Sequence, residues 1–285
     1  MNSPRNIGYG LTAALAFVLS TGCATTSFKN HFTADDFGVG YVDSKNTEIK
    51  ADDLQRKSDA QFGTLDDTLK TASDVFQQLP APARDAGLKA TSEIGKTMND
   101  KVHARVTATI KTKSADVASY LGNYDIFTKG GEQLGYNDLE PLDANDSDAA
   151  NLNPMIAQAN ELLKKSAKVS MTLRVQKEFL NIANKDLASM GPKRDPAKMA
   201  GIGLIAASAT EGTLSSIRDA NTLAPQLKLV VEQIKAKTTG KPGLAFKLRT
   251  PIASISDAAN NMIGVGTDGP ALLESARATV ATIAK

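Results

Sequence analysis

From Asp52 onward the chain repeats one pattern, apolar residues three and four positions apart in runs that close on proline or glycine. That period is helical, whereas strands need alternation. Phe62, Leu65, Leu69, Ala72, Phe76 and Leu79 form the first run, a heptad-type seam too short to demand a long coiled coil. Asp52 and Asp53 favour its start through the helix dipole, and Pro80 with Pro82 stops it. A second helix is expected from about Ala83 to Leu121, with Ile94, Met98, Val102, Val106, Ile110, Val117 and Leu121 on one stripe. The short proline turn between the two predicts an antiparallel hairpin.

Gly122, Gly130, Gly131, Gly135 and Pro141 then interrupt the pattern, and Tyr124, Phe127 and Tyr136 gather in the same stretch. A long irregular loop near 122–153 is expected, its aromatic part packed over the bundle and Asp143 to Asn151 exposed. Asn153-Pro154 reads as a capped helix start running to about Met190, with Ile156, Leu163, Leu173, Leu180, Ile182 and Leu187 inward and Gly191-Pro192 as its stop. Asp195-Pro196 repeats the start signal, and Met199 to Ala209 is apolar nearly all round, the mark of a buried central helix. Gly201, Gly203, Ala206 and Ala207 leave room for a close neighbour.

Further runs follow at Leu223 to Ile234, closed by Gly240 and Pro242; after Thr250-Pro251; and after Asp268-Gly269-Pro270. Leu244 to Arg249 alternates and reads as extended. The sum is an all-α bundle of about six or seven helices over 51–285. Aromatic residues make up 5% of the chain and Trp is absent, so the core is built from Ala, Leu, Ile, Val and Met, a palette for closely packed helices.

The first residues follow a different rule. After Arg5 an apolar run through Ile7, Leu11, Ala13 to Ala16, Phe17, Val18 and Leu19 narrows to Ser20, Thr21 and Gly22, then meets Cys23, the only cysteine in the chain. A charged start, an apolar middle and a small-residue end are the order of a secretory signal. Leu19-Ser20-Thr21-Gly22-Cys23 resembles the lipobox of bacterial lipoproteins, matching at Gly22 and Cys23 and placing Leu19 one position early. The resemblance covers only this segment. It implies a signal peptide over 1–22, lipidation of Cys23, a lipidated N-terminus and tether over 23–50, and a place on the outer membrane, since Ala24 stands where an Asp would signal inner-membrane retention. The stretch from Ile7 to Ser20, broken by Gly8, Gly10 and Thr12, is shorter than the roughly 20 apolar residues of a permanent span.

Charge is laid out unevenly behind a net of +2. Glu132, Asp138, Glu140, Asp143, Asp146 and Asp148 run without a Lys or Arg, and Lys164, Lys165 and Lys168 open a basic stretch. The solvated-face reading of such runs stands beside a sharper one, a face for anionic headgroups or cell-wall polymers carried by Lys164, Lys165 and Lys168.

Catalytic signatures do not assemble. No nucleophile elbow, paired-histidine zinc motif or phosphate loop occurs, and neither His31 nor His103 has ligand partners nearby in sequence. Gly264 to Gly269 fits dinucleotide-loop spacing but lacks the preceding strand and reads as a turn between helices. The acids from 138 to 148 lack the Gly and Glu of an EF-hand; weak divalent-ion binding there competes with a solvated loop. The expectation is a non-enzyme with no cofactor, metal or nucleic-acid partner: a membrane-anchored structural or adaptor module for a partner protein or envelope polymer. The alternative is a carrier holding an apolar ligand between Met199 to Ala209 and its neighbours.

Overall fold

The structure, a computed structural model, describes residues 28–32, 51–122 and 135–285, without the side chains of 51 and 52. Cys23, most of the expected tether, Tyr124, Phe127 and Glu132 lie outside the described residues. The chain is an all-α bundle. Its helices are α1 (Ala51–Lys70), α2 (Ala72–Phe76), α3 (Ala81–Thr97), α4 (His103–Gly122), α5 (Ala149–Ser189), α6 (Pro196–Thr238), α7 (Pro242–Lys247) and α8 (Arg249–Ile283). A π-helical turn over Met98–Val102 joins α3 to α4 without a break.

Three long helices set the shape. At 1.5 Å per residue, α5 and α6 each run for about 60 Å, and α6 packs antiparallel to both α5 and α8, which run parallel to each other. Over one half, Leu152, Ile156, Ala159 and Leu162 of α5 meet Leu223, Leu227, Val230 and Ile234 of α6 and Ile255, Ala259 and Met262 of α8. Over the other half, α1 and α4 pack on the first turns of α6 while α3 packs on α8, and Met199 to Thr210 are buried without exception. The central helix expected there is the N-terminal half of α6.

The stripe from Ile94 to Ile110 explains the π turn. Steps of four residues overshoot the 3.6-residue turn by about 40° each, so an ideal helix would carry Ile110 well off the face that holds Ile94. One wider turn at Met98–Val102 absorbs the drift, and Ile94, Met98, Val102, Val106 and Ile110 all stay buried. Lys113, at φ −140° and ψ 34°, bends α4 before Val117 and Leu121 return to the core.

Local stop signals are overridden in three places. α5 begins at Ala149, four residues before Asn153, and Pro154 lies inside it. The runs at 195–209 and 223–234 are one helix, α6, continuous through Pro225. α8 is likewise unbroken through Gly264 to Pro270, so neither a turn nor a helix start exists there. An interior proline costs about 3 kcal/mol, but apolar stripes on both sides of each are buried in the same core and outweigh it. The glycines of α8 serve packing: a Cβ on Gly269 would lie 2.5 Å from Ile217, and one on Gly266 would lie 2.8 Å from Leu79.

Leu244 to Arg249 is helical, not extended. Leu244 and Leu248 are buried and four apart while Phe246 is 77% exposed; a strand would put all three on one face, whereas a helical turn carries Phe246 away from the two leucines. Other boundaries fall where local chemistry puts them. Asp195 accepts hydrogen bonds from the Ala197 and Lys198 amides, and Gly191 and Gly240 take φ of 60° and 76° at the ends of α5 and α6. At the far end of α8, Arg105 and Arg194 donate to the carbonyls of Ile283 and Thr282, which have no helical partner.

Candidate functional site: the strap and lysine edge of α5

The stretch before α5 forms a strap along that helix. β1 (Asn30–His31) pairs antiparallel with β2 (Gly135–Tyr136), and Phe32 is buried with its ring 5.3 Å from that of Tyr136. So Phe28 to Phe32, inside the stretch expected as tether, is docked on the domain. Downstream of β2, two asparagines of α5 hold the strap by its backbone. The Leu139 amide donates to Asn160 Oδ1 at 2.8 Å, and Asn160 Nδ2 donates to the Leu139 carbonyl at 3.0 Å. Asn153 makes the same pair with Leu142, at 2.8 and 3.1 Å. Asn153 therefore clamps the strap instead of capping the helix.

The spacing is geometric. Seven residues of helix rise about 10.5 Å, and three extended residues cover about 10 Å, so Asn153 and Asn160 meet Leu142 and Leu139 in register. One more step brings Tyr136 to the level of residue 167, and Tyr136 and Ala167 indeed pack half-buried on the same cluster. Each clamp satisfies a peptide group that would otherwise face an apolar helix surface. Asn160→Ala is expected to lose about 1–3 kcal/mol of local stability, seen as faster hydrogen exchange at the Leu139 amide. Unchanged exchange there would show that the clamp holds nothing.

Past Leu142 the strap turns through Asp143 to Asp148 and is latched to α7. Lys247 donates to Asp146 Oδ2 at 2.7 Å, and Lys241 pairs with Asp148. Asp143, Ala144, Asn145 and Ser147 are exposed as expected, but the side chains of Asp146 and Asp148 keep only 14% and 20% exposure. The Lys247 bond, then the Asp148 amide, hold the Asp146 carboxyl below its ordinary value, and Asp146 in turn raises Lys247. A depressed carboxyl stabilises the latch above the unfolded carboxylate value of about 4 and ceases to as pH falls through its own lower value. The raised lysine contributes at every pH below the ordinary lysine range near 10.4 and is lost only as pH rises beyond that. The latch should thus hold unchanged between about pH 5 and 9 and open in acid below about 4. Hydrogen exchange over 143–148, corrected for intrinsic rates, should quicken at pH 3, and Lys247→Met should reproduce that opening at neutral pH. Equal protection in all three conditions would refute the latch.

Lys164, Lys165 and Lys168 are exposed on the same helix and make no ion pair among the described residues. The fold also brings a lysine of the N-terminal segment onto the strap. The Lys29 amide donates to Asn137 Oδ1 at 2.8 Å, its ammonium bridges Glu140 at 3.1 Å, and it shares an open groove with Leu163 of α5. Lys29 stands in the expected tether, far from the strap and from Leu163 in sequence. No periodic signal could have joined them.

Elsewhere the expected positions resolve simply. Among the described residues no three His, Cys, Asp or Glu side chains gather as a metal set, and the strap's acids bond to Lys29, Asn30, Lys241, Lys247 and Asn145. His103 stacks half-buried on Phe62 at 4.3 Å. Around Met199 to Ala209 the neighbouring helices close directly: Cβ atoms on Gly201 and Gly203 would lie 2.4 Å from Tyr120 and 2.9 Å from Val106. α4 and α6 are therefore in close contact at these two glycines. No helix among the described residues is long and apolar enough to cross a membrane. No protein-family model, curated protein or solved structure matches the chain.

Proposed function

We propose that the chain is an outer-membrane lipoprotein, acylated at Cys23, whose helical bundle acts as a structural or adaptor module for a partner protein or anionic envelope polymer. The signal-like run from Arg5 to Cys23, ending on the sole cysteine, carries this reading. One acyl chain binds a membrane only marginally, and the several chains of a bacterial lipoprotein make the anchor durable. The lysines at 164, 165 and 168 support the adaptor half, because exposed cations that make no ion pair among the described residues stay available to an anionic surface.

Charge reversal tests this. Acylated wild type and the Lys164→Glu, Lys165→Glu, Lys168→Glu triple variant are each crosslinked in intact envelopes. A species recovered reproducibly with wild type, and at least about tenfold less with the variant, is the expected result; a tenfold loss is about 1.4 kcal/mol, modest for three reversed charges. Equal recovery from both, or no specific species from wild type, would refute the adaptor role of this edge.

A further inference from the structure

We propose that the end of the bundle where α6, α7 and α8 meet docks on an anionic lipid surface, with the Phe246 ring as its apolar wedge and Lys235, Lys237 and Arg249 as its headgroup contacts. This does not rest on acylation of Cys23. At 77% exposure, Phe246 is the most exposed large apolar side chain among the described residues. A solitary exposed apolar residue is ordinary on a protein surface. The mount of this one and the charge around it are not.

The mount is rigid. The Leu248 amide closes its turn on the Leu244 carbonyl at 3.0 Å, and both leucines are buried. At 100° per residue Phe246 lies about 160° round the helix from each, so it faces directly away from the core. One turn back on that outer face stand Pro242 and Gly243, both exposed and too small to cover a ring. Lys241 and Lys247 are tied to Asp148 and Asp146 of the strap, which fixes α7 from both ends. A ring held outward in this way loses little further freedom on binding.

The charge is one-sided. From Gln233 to Ser256 the chain carries Lys235, Lys237, Lys241, Lys247 and Arg249 and no Asp or Glu. Asp146 and Asp148 neutralise two of these cations. Lys235 and Lys237 in the last turn of α6, and Arg249 at the start of α8, are exposed and make no ion pair among the described residues. Against them stand the exposed Asp143 of the strap, which acts on Lys247, and Glu232, further down α6 and itself preceded by Lys228. The end of the bundle stays positive.

These features select a fluid lipid surface over a protein. A protein partner of ordinary size buries about 800 Å² on each side around an apolar centre, whereas Phe246 stands among Pro242, Gly243, Arg249 and Thr250. Headgroups need no matching pocket, because the ring sinks below the phosphates while the cations stay level with them. Three cations near an anionic surface raise partitioning about a hundredfold. That supplements an anchor without replacing it, and alkaline carbonate, which discharges lysines, releases it.

The chain contains no tryptophan, so Phe246→Trp installs a single fluorescent reporter at the wedge. The full chain carrying Phe246→Trp and Cys23→Ala is titrated with vesicles of phosphatidylglycerol and phosphatidylcholine, the latter brominated along its acyl chains. Emission is expected to shift to shorter wavelength and to be quenched. Vesicles of brominated phosphatidylcholine alone should need at least about tenfold more lipid to reach half of the change, and so should the anionic vesicles after Lys235→Glu, Lys237→Glu and Arg249→Glu. Unchanged melting is the control for the reversed variant, and the neutral-vesicle comparison stands without it. Emission that stays that of a water-exposed indole on anionic vesicles would overturn the proposal even where the chain floats with them, since another segment then holds it. Equal quenching on neutral and anionic vesicles would overturn it as well. Neither outcome bears on whether Cys23 is acylated.

Discussion

Gly201→Leu should lower the stability of the domain by at least about 3 kcal/mol, a fall in Tm of roughly 6–12 °C for a domain of this size. The first added carbon alone would sit 2.4 Å from Cδ1 of Tyr120. Tyr120 cannot easily retreat, because it is 6% exposed and its hydroxyl donates to Asp186 Oδ2 at 2.7 Å. Leucine must either expel the ring, breaking that bond between α4 and α5, or part α4 from α6. Gly63 provides the control. It lies in α1 with nothing within 4 Å of its Cβ position, so Gly63→Ala should stabilise by about 1 kcal/mol through helix propensity. Thermal unfolding followed by circular dichroism measures both, and a Gly201→Leu domain that melts with wild type would contradict the packing described for α4 and α6.

Much of this architecture was legible because burial is periodic. The stripe from Ile94 to Leu121, the seam from Phe62 to Phe76 apart from the half-buried Leu69, and the apolar run after Met199 are core residues in the fold as in the reading. Asp195 caps because its side chain reaches amides two and three residues on, a local event. The errors share the opposite character. Asn153-Pro154 and Asp268-Gly269-Pro270 are sound local signals for a helix start, yet the helices run through them because their flanks are buried against other helices. Proline disfavours a helix at one turn, whereas packing along α5, α6 and α8 acts over ten turns or so.

The strap was illegible for a related reason. Asn153 and Asn160 are ordinary polar residues in sequence, and their meaning comes from a match between helix rise and strand rise that exists only once Leu139 and Leu142 lie alongside. Lys29 reaches the neighbourhood of Leu163 only through that strap. The lysine edge was read from α5 alone, and the fold supplied its place at mid-bundle.

Cys23→Ala should have the largest effect of any single change, moving the protein from the membrane fraction to the soluble fraction almost completely. Each buried methylene of an acyl chain contributes about 0.8 kcal/mol, so even one chain of ordinary length holds several kcal/mol of partitioning energy, and two or more make release negligible. Within the described residues nothing compensates, since no helix there is long and apolar enough to cross a membrane. Fractionation after a carbonate wash measures it, with wild type retained and the variant lost. The role proposed for Cys23 is anchoring alone, so the variant should keep the wild-type Tm.

In the proposed function, anchoring and the use of the lysine edge both depend on the chemistry at one atom, the Cys23 sulfur. Mass spectrometry of the N-terminal peptide from detergent-extracted protein reads that chemistry directly. The expected peptide begins at Cys23 and carries diacylglycerol on its thiol. A peptide with a free Cys23 thiol, or a mature chain beginning at any other residue, would contradict the account at its root.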